Sequence, residues 1–289
     1  MLQKTPWRRK NLQKAVFFSF SSSAFLNGIL LMIIVFFLLS NGIEAISWEF
    51  LSQPPTDSMT KGGILPCIVG TFLLCAVTIV TALPIGVSSA IYLNEYAIKG
   101  KLVRIIRMGI NNLAGVPSIV FGLFGLAFFC IVLKMGVSII AGGLTLAIMT
   151  LPVIIASSEE ALKSVPDAYR QASLAMGATK WQTIYKIVLP AASPGIITGA
   201  ILGLSRAAGE TAPIMYTGAV FFSPVLPKSP FDAVMALPYH IYVLVTAGTN
   251  IEETLPLQYG TALVLIALVF GMNFIAIVLR SRIRKKMKI

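Results

Sequence analysis

The sequence predicts an all-α membrane protein that crosses the bilayer about six times. Of its 289 residues, 56% are hydrophobic and only 12% are charged, which is about half the charged fraction of soluble domains. The mean hydropathy is +0.85. The apolar residues fall in stretches of about 20 or more, the length that a helix needs to cross a bilayer. This composition excludes a soluble globular domain and a disordered chain.

Six stretches are long and apolar enough to span, at roughly residues 15–40, 63–93, 110–133, 136–157, 193–221 and 257–280. The first is too long for a signal-peptide core, so we interpret it as a retained anchor helix. The turn at Lys134, between spans three and four, is very short. A count of five or seven spans is therefore the alternative to six. Pro84 and Pro117 interrupt spans two and three. Such breaks suggest a helix bundle that lines a pathway and can move. The alternative is that they only kink the helices and let them pack closely.

The basic residues orient these spans. The 23 Lys and Arg residues exceed the 11 Asp and Glu residues, for a net charge of +12. If the N-terminus is cytoplasmic, 19 of the 23 fall on the cytoplasmic side, in residues 4–14, 99–107, 163–186 and 280–288. Only Lys61, Lys134 and Lys228 lie outside, and Arg206 lies within a span. This positive-inside pattern predicts a multi-pass inner-membrane protein with both termini in the cytoplasm. Nucleic acid is not an expected partner, whereas the basic tail can touch lipid headgroups.

Cysteine and histidine offer no metal site or catalytic centre. Cys67, Cys75 and Cys130 lie in apolar runs without metal-binding spacing, and His240 is the single histidine. Buried thiols are therefore expected, and no bound metal. The sequence has no glycine-rich nucleotide loop or hydrolase motif. We therefore predict that the chain is not an enzyme and binds no cofactor.

The most informative segment is the cytoplasmic loop 158–190, which predicts two short helices. Pro166 suits the first turn of the first helix, and Gly177 ends it. Thr179 and Gln182 form a capping box for a second helix that should end before Pro190. The exposed apolar side chains of this pair could dock into a partner's groove. From the residues alone, an interfacial helix anchored by Trp181 is an equal alternative.

This loop resembles a known motif. Gln171-Ala172-Ser173, three residues, Gly177, nine residues and Ile187-x-Leu189-Pro190 are similar to the EAA loop of ABC-importer permeases. The resemblance implies the type I importer permease (MetI-like) fold, with residues 166–182 in a cleft of an ATPase subunit. The implied contacts are Tyr169, Gln171, Ala172, Ser173, Gly177 and Trp181. Gln171 replaces the motif's Glu, which keeps the length and the hydrogen bonding of that side chain but removes its charge.

A charged pair lies inside span five. Arg206 and Glu210 are four residues apart, on one helical face. An Arg at mid-membrane costs at least about 2.5–3.5 kcal/mol, so this face should point into the bundle. A buried ion pair that fixes packing is one interpretation. We prefer an anion path, because the planar donor fork of Arg suits phosphate oxygens.

The residues around this pair narrow the resemblance. Arg206-Ala-Ala-Gly-Glu210-Thr-Ala-Pro213 is similar to the signature of PstA-type permeases of phosphate importers. The resemblance covers roughly residues 63–280. It implies a heterodimer with a sister permease, two ATPase subunits that use ATP and Mg²⁺, and an extracytoplasmic phosphate-binding protein. Arg206 and Glu210 are the implied substrate-path residues.

The expected organisation has three parts. Residues 1–62 form a basic tail, the first span and an external loop; residues 63–280 form the permease domain; residues 281–289 form a basic tail. In the external loop 222–256, the apolar stretch 231–245 predicts an interfacial or re-entrant helix. A permease for phosphonate, sulfate or molybdate is the alternative function. A second alternative function is that of an ion-coupled secondary transporter, which would not need the cytoplasmic loop 158–190 as a coupling loop to an ATPase.

Overall fold

The computed structural model describes residues 6–98, 100–247 and 251–286, and most of them are helical. In chain order the elements are α1 (Pro6–Gly42), α2 (Trp48–Ser52), β1 (Pro55–Thr56), β2 (Lys61–Gly62), α3 (Leu65–Ile91), α4 (Lys101–Leu113), α5 (Ser118–Gly125), α6 (Ile139–Lys163), α7 (Asp167–Ala175), α8 (Lys180–Thr183), α9 (Leu189–Gly209), α10 (Ala212–Thr217), α11 (Leu237–Thr246) and α12 (Ile251–Lys286). The two strands pair as a small antiparallel hairpin. Wider π-helical turns extend α3 and α5 and join α8 to α9, at Tyr92–Tyr96, Leu126–Val132 and Ile184–Val188.

The described helices agree with a count of about six spans. Five of them are long and apolar enough to cross a membrane, and a bent helix pair makes a sixth. The predicted third span, 110–133, is not one straight helix, because α4 and α5 meet at an angle of 102°. The break falls at Gly115-Val116-Pro117. Pro117 lacks an N–H group and disfavours a helical residue before it, so the helix must stop there.

Helices α3 and α6 form the centre of the bundle. They make the most extensive contact between any two helices in the described part of the chain, and α9 packs against α6. One core cluster brings Leu74 of α3 together with Leu146 of α6, Ala207 of α9 and Ile214 of α10. In contrast, α1 lies at the edge of the chain, where Phe37 makes an edge-on ring contact with Tyr259 of α12. The C-terminal end of α9, at Ala207, is therefore part of this core cluster.

The segment after α10 closes the N-terminal end of α6. The backbone N–H groups of Ser138, Ile139 and Ile140 donate to carbonyls of residues 217, 232 and 230, at 2.9–3.2 Å. Helix termini leave such donors unpaired, and the bilayer has no water to satisfy them. Within this loop, the N–H groups of Lys228 and Ser229 donate to the Asp232 carboxylate, both at 2.8 Å. These bonds hold the pKa of Asp232 below its ordinary value.

The predicted helix of the external loop is present but shorter than expected. It begins at Leu237 rather than near residue 231 and ends at Thr246. The preceding residues run extended, and Val220 and Val234 are joined by a backbone hydrogen bond of 2.9 Å. Leu237, His240 and Val243 are buried against the bundle. Helix α11 therefore packs against the bundle at the end where the external loop lies.

Gly70 of α3 provides a test of this packing. A Cβ atom there would collide with the backbone carbonyl oxygen of Met235 and with Val234. Gly70→Ala is expected to destabilise the protein by about 1–3 kcal/mol, the usual cost of overpacking. The measurement is thermal unfolding in detergent, followed by labelling of the buried thiols Cys67 and Cys75. Gly28→Ala is the matched control, since nothing lies within 4 Å of a Cβ there. Equal unfolding temperatures for the two variants would contradict the packing.

Candidate functional site

The loop between α6 and α9 has the predicted helix–turn–helix form. Helix α7 begins at Asp167, with Pro166 as its N-cap, and Gly177 follows it with a φ of +82°. The capping box is confirmed, because the Thr179 side chain accepts from the Gln182 N–H and the Gln182 side chain accepts from the Thr179 N–H. Local sequence signals therefore position both short helices.

One detail of the loop prediction is wrong. The second helix does not end before Pro190, since the chain continues from α8 through the π-helical turn into α9. Proline removes one backbone donor from a helix, and the wider turn just before it changes the hydrogen-bond pattern at that point. The second loop helix and span five therefore form one continuous helix, Lys180–Gly209. A displacement of the loop would move the span with it.

Most of the predicted ATPase-contact residues lie on the outer surface of the loop. The side chains of Tyr169, Gln171 and Trp181 are exposed, as are residues 172 and 177. Trp181 stacks on Tyr185 with ring centroids 6.1 Å apart, so the two rings form one exposed aromatic surface. Ser173 is different, because its hydroxyl lies 2.9 Å from that of the buried Thr183 and joins α7 to α8. Ser173 therefore holds the loop together rather than facing outwards.

Gly177 carries a sharp conformational requirement. Its φ of +82° lies in the left-handed region, where a side chain costs about 1–2 kcal/mol. Gly177→Ala is therefore expected to loosen the turn and to speed amide hydrogen exchange in residues 167–183 by roughly tenfold. Hydrogen-exchange mass spectrometry measures this effect. Gly271→Ala in α12, where nothing lies within 4 Å of a Cβ, should leave exchange in the loop unchanged. Unaltered exchange in Gly177→Ala would count against the strained turn.

An ion pair that the sequence did not predict anchors α7 to the rest of the chain. Arg170 contacts Glu95 at the end of α3 at 2.9 Å, and the side chain of Glu95 is only 9% exposed. The same guanidinium donates to the carbonyl oxygens of Leu162 and Val165, at 2.8 and 2.7 Å, and reaches Asp167 at 3.1 Å. Glu95 is 75 residues away in the chain, so no sequence spacing could have indicated this contact.

Arg206 and Glu210 lie where α9 ends. The structure brings them together, with Arg206 Nε 3.4 Å from Glu210 Oε1. Predicted span five is shorter than 193–221, because α9 ends at Gly209 and α10 begins at Ala212. Glu210 itself has an extended ψ of 132°, so the pair bridges a break in the helix rather than one turn of it. An interrupted helix frees backbone groups, which bundles tolerate where a cavity or a partner supplies contacts.

The Arg206–Glu210 pair lies between the packed core on one side and an exposed surface on the other. Ala207 and Ala208 are buried in the core, while the Arg206 side chain is 44% exposed and that of Glu210 is 19% exposed. Ser205 donates to Asn273 of α12 at 2.7 Å, which fixes the helix next to the pair. Exposure of a guanidinium on an apolar span is costly in lipid. This surface therefore faces protein or water in the assembled molecule.

The described residues contain no group of three or more His, Cys, Asp or Glu side chains that could hold a metal ion. Cys67, Cys75 and Cys130 are free and buried. His240 is buried as well, among apolar residues of α11. The sequence-predicted features that remain as candidate sites are the exposed loop and the charged pair, which lie at opposite ends of the helix Lys180–Gly209.

A multi-pass bundle with an exposed helical loop and a charged pair at a broken span is a membrane transport component. The chain belongs to the family described as binding-protein-dependent transport system inner membrane components, whose model matches residues 82–289. It is therefore a multi-pass inner-membrane permease subunit of an ABC transporter, in a family that works with an ATPase and a binding protein.

Several curated relatives extend this likeness over most of the chain. "Probable ABC transporter permease protein YqgI" of Bacillus subtilis is 32% identical and covers 87% of this chain and 89% of its own. "Phosphate transport system permease protein PstA 1" of Mycobacterium tuberculosis is 34% identical, over 94% and 90%. The Mycobacterium leprae protein named PstA is 41% identical, over 73% and 68%.

Solved structures agree on the fold. A chain of the MetNI methionine ABC transporter in an inward-facing conformation has a TM-score of 0.59 at 22% identity, and the match covers 76% of this chain and 94% of the MetNI chain. A chain of a bacterial alginate ABC transporter has a TM-score of 0.60 at 13% identity, over 98% of both. At these identities the likeness concerns the fold, and it confirms the type I importer permease architecture.

Proposed function

We propose that this chain is the permease subunit of an ATP-driven importer of inorganic phosphate. The names of the curated relatives support phosphate as the substrate. The observation that carries the proposal is the Arg206–Glu210 pair, which lies 44% and 19% exposed at the break between α9 and α10. Arg binds phosphate oxygens through parallel N–H groups. Glu210 holds the guanidinium when no anion is bound and can accept a hydrogen bond from a protonated phosphate.

The translocation path lies between this chain and a sister permease. The enclosed cavity that Glu210 lines holds only about 10 Å³, about the least space that one water molecule needs. An anion therefore cannot reach the pair through this cavity. The exposed side of Arg206 offers the contact instead, and a second permease subunit would cover it from lipid.

The loop couples this path to ATP hydrolysis in a separate ATPase, which uses ATP and Mg²⁺. Tyr169, Gln171 and Trp181 present exposed side chains to that partner, with residues 172 and 177 beside them. Two ATPase subunits, one for each permease, follow from a heterodimer with two such loops. Because α8 continues into α9, a movement of the docked loop displaces the helix that carries Arg206.

The positive-inside pattern supports an orientation with the loop and both termini in the cytoplasm. The opposite side, with β1, β2 and the loop before α11, then faces an extracytoplasmic phosphate-binding protein. The basic end of α12, with exposed side chains at residues 281–285, lies near anionic headgroups.

The test is uptake of labelled anions by a strain that lacks this gene, with and without the chain restored. Restored phosphate uptake that depends on ATP supports the proposal. Uptake of phosphonate, sulfate or molybdate in place of phosphate would assign the chain to another oxyanion. Transport by the purified chain alone in liposomes, driven by an ion gradient, would show a secondary transporter.

Trp181 tests the docking surface. Trp181→Ala removes the largest exposed side chain of the loop and is expected to reduce the ATPase that co-purifies with the permease by about tenfold, since buried Trp anchors contribute 2 kcal/mol or more at interfaces. Quantitative mass spectrometry of the purified complex measures this. Trp48→Ala is the control, because Trp48 is also highly exposed but lies in α2, in the segment between the first two spans. Full retention of the ATPase by Trp181→Ala would contradict docking through this surface.

A further inference from the structure

A cleft of about 1310 Å³ lies beside the coupling loop, on the same side of the chain. It is formed by the end of α3, the helix α4 and the start of α7, and it is separate from Arg206 and Glu210. Five cationic side chains line it: Lys101, Arg104, Arg107, Lys163 and Arg170. Its volume exceeds the usual range for small-ligand sites.

Only some of these cations are neutralised. Glu95 and Asp167 lie in the cleft wall and both contact Arg170. Glu159 is shared between Lys163 and Arg107, at 3.3 and 3.6 Å. All three carboxylates are thus engaged, and the cleft keeps an excess of positive charge.

The two cations of the first turns of α4 are unused. Neither Lys101 nor Arg104 makes a side-chain hydrogen bond or an ion pair with any residue that the structure describes. The first turn of α4 also has no acidic residue and no side-chain cap, so no side chain of that turn neutralises the positive end of the helix dipole. Arg107, in contrast, is engaged: its guanidinium donates to the carbonyl oxygen of Leu93 at 3.0 Å and contacts Glu159 at 3.6 Å.

Helix α4, which forms one wall of this cleft, has one cationic and one apolar face. Its residues 101, 104, 107 and 111 line the cleft, while Leu102, Ile106 and Leu113 lie on the opposite face and are exposed. The helix turns 102° away from the next membrane helix. A helix with one basic and one apolar face lies in the membrane interface.

We propose that this cleft binds a phosphate group, with Lys101 and Arg104 as its contacts. Phosphate oxygens accept several hydrogen bonds at once and match the Arg donor fork. Two sources share this chemistry, the headgroup of an anionic lipid and free inorganic phosphate. The proposal concerns binding on the coupling-loop side and does not require that phosphate is the transported substrate.

Two binding experiments distinguish the sources. Both use the permease complex purified with its co-purifying subunits, in the Arg206→Ala background, so that the proposed transport path does not contribute. One arm measures radiolabelled inorganic phosphate by equilibrium dialysis. The other measures lipid retained by the complex in native mass spectrometry, with phosphatidylglycerol against phosphatidylcholine.

The test variant is Lys101→Gln with Arg104→Gln, which removes two cations whose side chains make no hydrogen bond or ion pair with a described residue. The matched control is Lys134→Gln with Lys228→Gln, which removes the same charge from exposed positions that do not line the cleft. We expect saturable binding in one arm, weakened about tenfold or more by the test variant and unchanged in the control. A loss confined to phosphatidylglycerol identifies a lipid headgroup, and a loss confined to inorganic phosphate identifies the free ion.

Three results would overturn the proposal. They are no saturable binding in either arm, equal loss in the test and control variants, and filling of the cleft by a protein. For the last, a photo-crosslinking residue at position 104 is introduced in the assembled complex. Efficient crosslinking to the ATPase subunit would mean that a protein surface, and not a phosphate group, occupies the cleft.

Discussion

Replacing Arg206 with alanine is expected to lower phosphate uptake by roughly a hundredfold or more. The variant loses the charge-assisted hydrogen bonds of the guanidinium, each worth about 1.5–3 kcal/mol to an anion. The measurement is the initial rate of labelled phosphate uptake in cells. Assembly and ATP hydrolysis by the purified complex should remain, because the Arg206 side chain is 44% exposed and its one ion pair among the described residues is with Glu210.

Matched variants separate a substrate contact from a structural ion pair. Arg206→Lys keeps the charge but loses the planar fork, so uptake should fall to an intermediate rate. Arg206→Glu combined with Glu210→Arg restores an ion pair with the charges exchanged. If the pair only fixed the end of α9, this exchange would restore uptake; we expect the complex to assemble while uptake stays low. Normal uptake by Arg206→Ala would remove Arg206 from the proposed path.

Arg170→Ala is expected to have the largest effect on stability and coupling. It leaves Glu95 buried without its partner and takes the donors from the carbonyl oxygens of Leu162 and Val165. Breaking a buried ion pair by removing one member costs about 3–5 kcal/mol. Thermal unfolding of the purified complex measures this cost, and the ratio of phosphate transported to ATP hydrolysed measures coupling, which should fall because α7 is no longer held to α3.

Asp167→Asn is the control for this prediction. Asp167 also contacts Arg170, at 3.1 Å, but its side chain is 86% exposed. Exposed ion pairs contribute about 0–1 kcal/mol, so the unfolding temperature should change little. If Arg170→Ala unfolds at the same temperature as Asp167→Asn, the buried contact with Glu95 does not anchor the loop.

Much of the coupling loop could be predicted because its signals are local. The Gly177 turn and the Thr179–Gln182 capping box depend on residues within a few positions of each other, and both are present. The prediction failed at Pro190, where proline suggested a helix end. The π-helical turn before it keeps the helix continuous, and a turn of this kind leaves no clear mark in the residue types.

The predicted number of spans agrees with the five or six apolar spans of the structure. The predicted path of the chain through those spans was less accurate. Length and hydropathy identify apolar segments, but they do not show whether a segment is straight. Residues 110–113 belong to α4, and the chain turns by 102° between α4 and α5. Span five ends at Gly209, and the short helix α10 that follows it packs against α5.

The sequence by itself determined the all-helical membrane fold, the helical loop and the charged pair in span five. Hydrophobic length and short-range capping depend on neighbouring residues, so a linear pattern records them. The tertiary structure alone decided which cations are free. Arg170 is bound to a carboxylate 75 residues away, whereas Lys101 and Arg104 have no described partner and line a cleft. The charges of all three are equally visible in the sequence. Pairing depends on which helices the fold brings together, and that is a property of packing rather than of spacing.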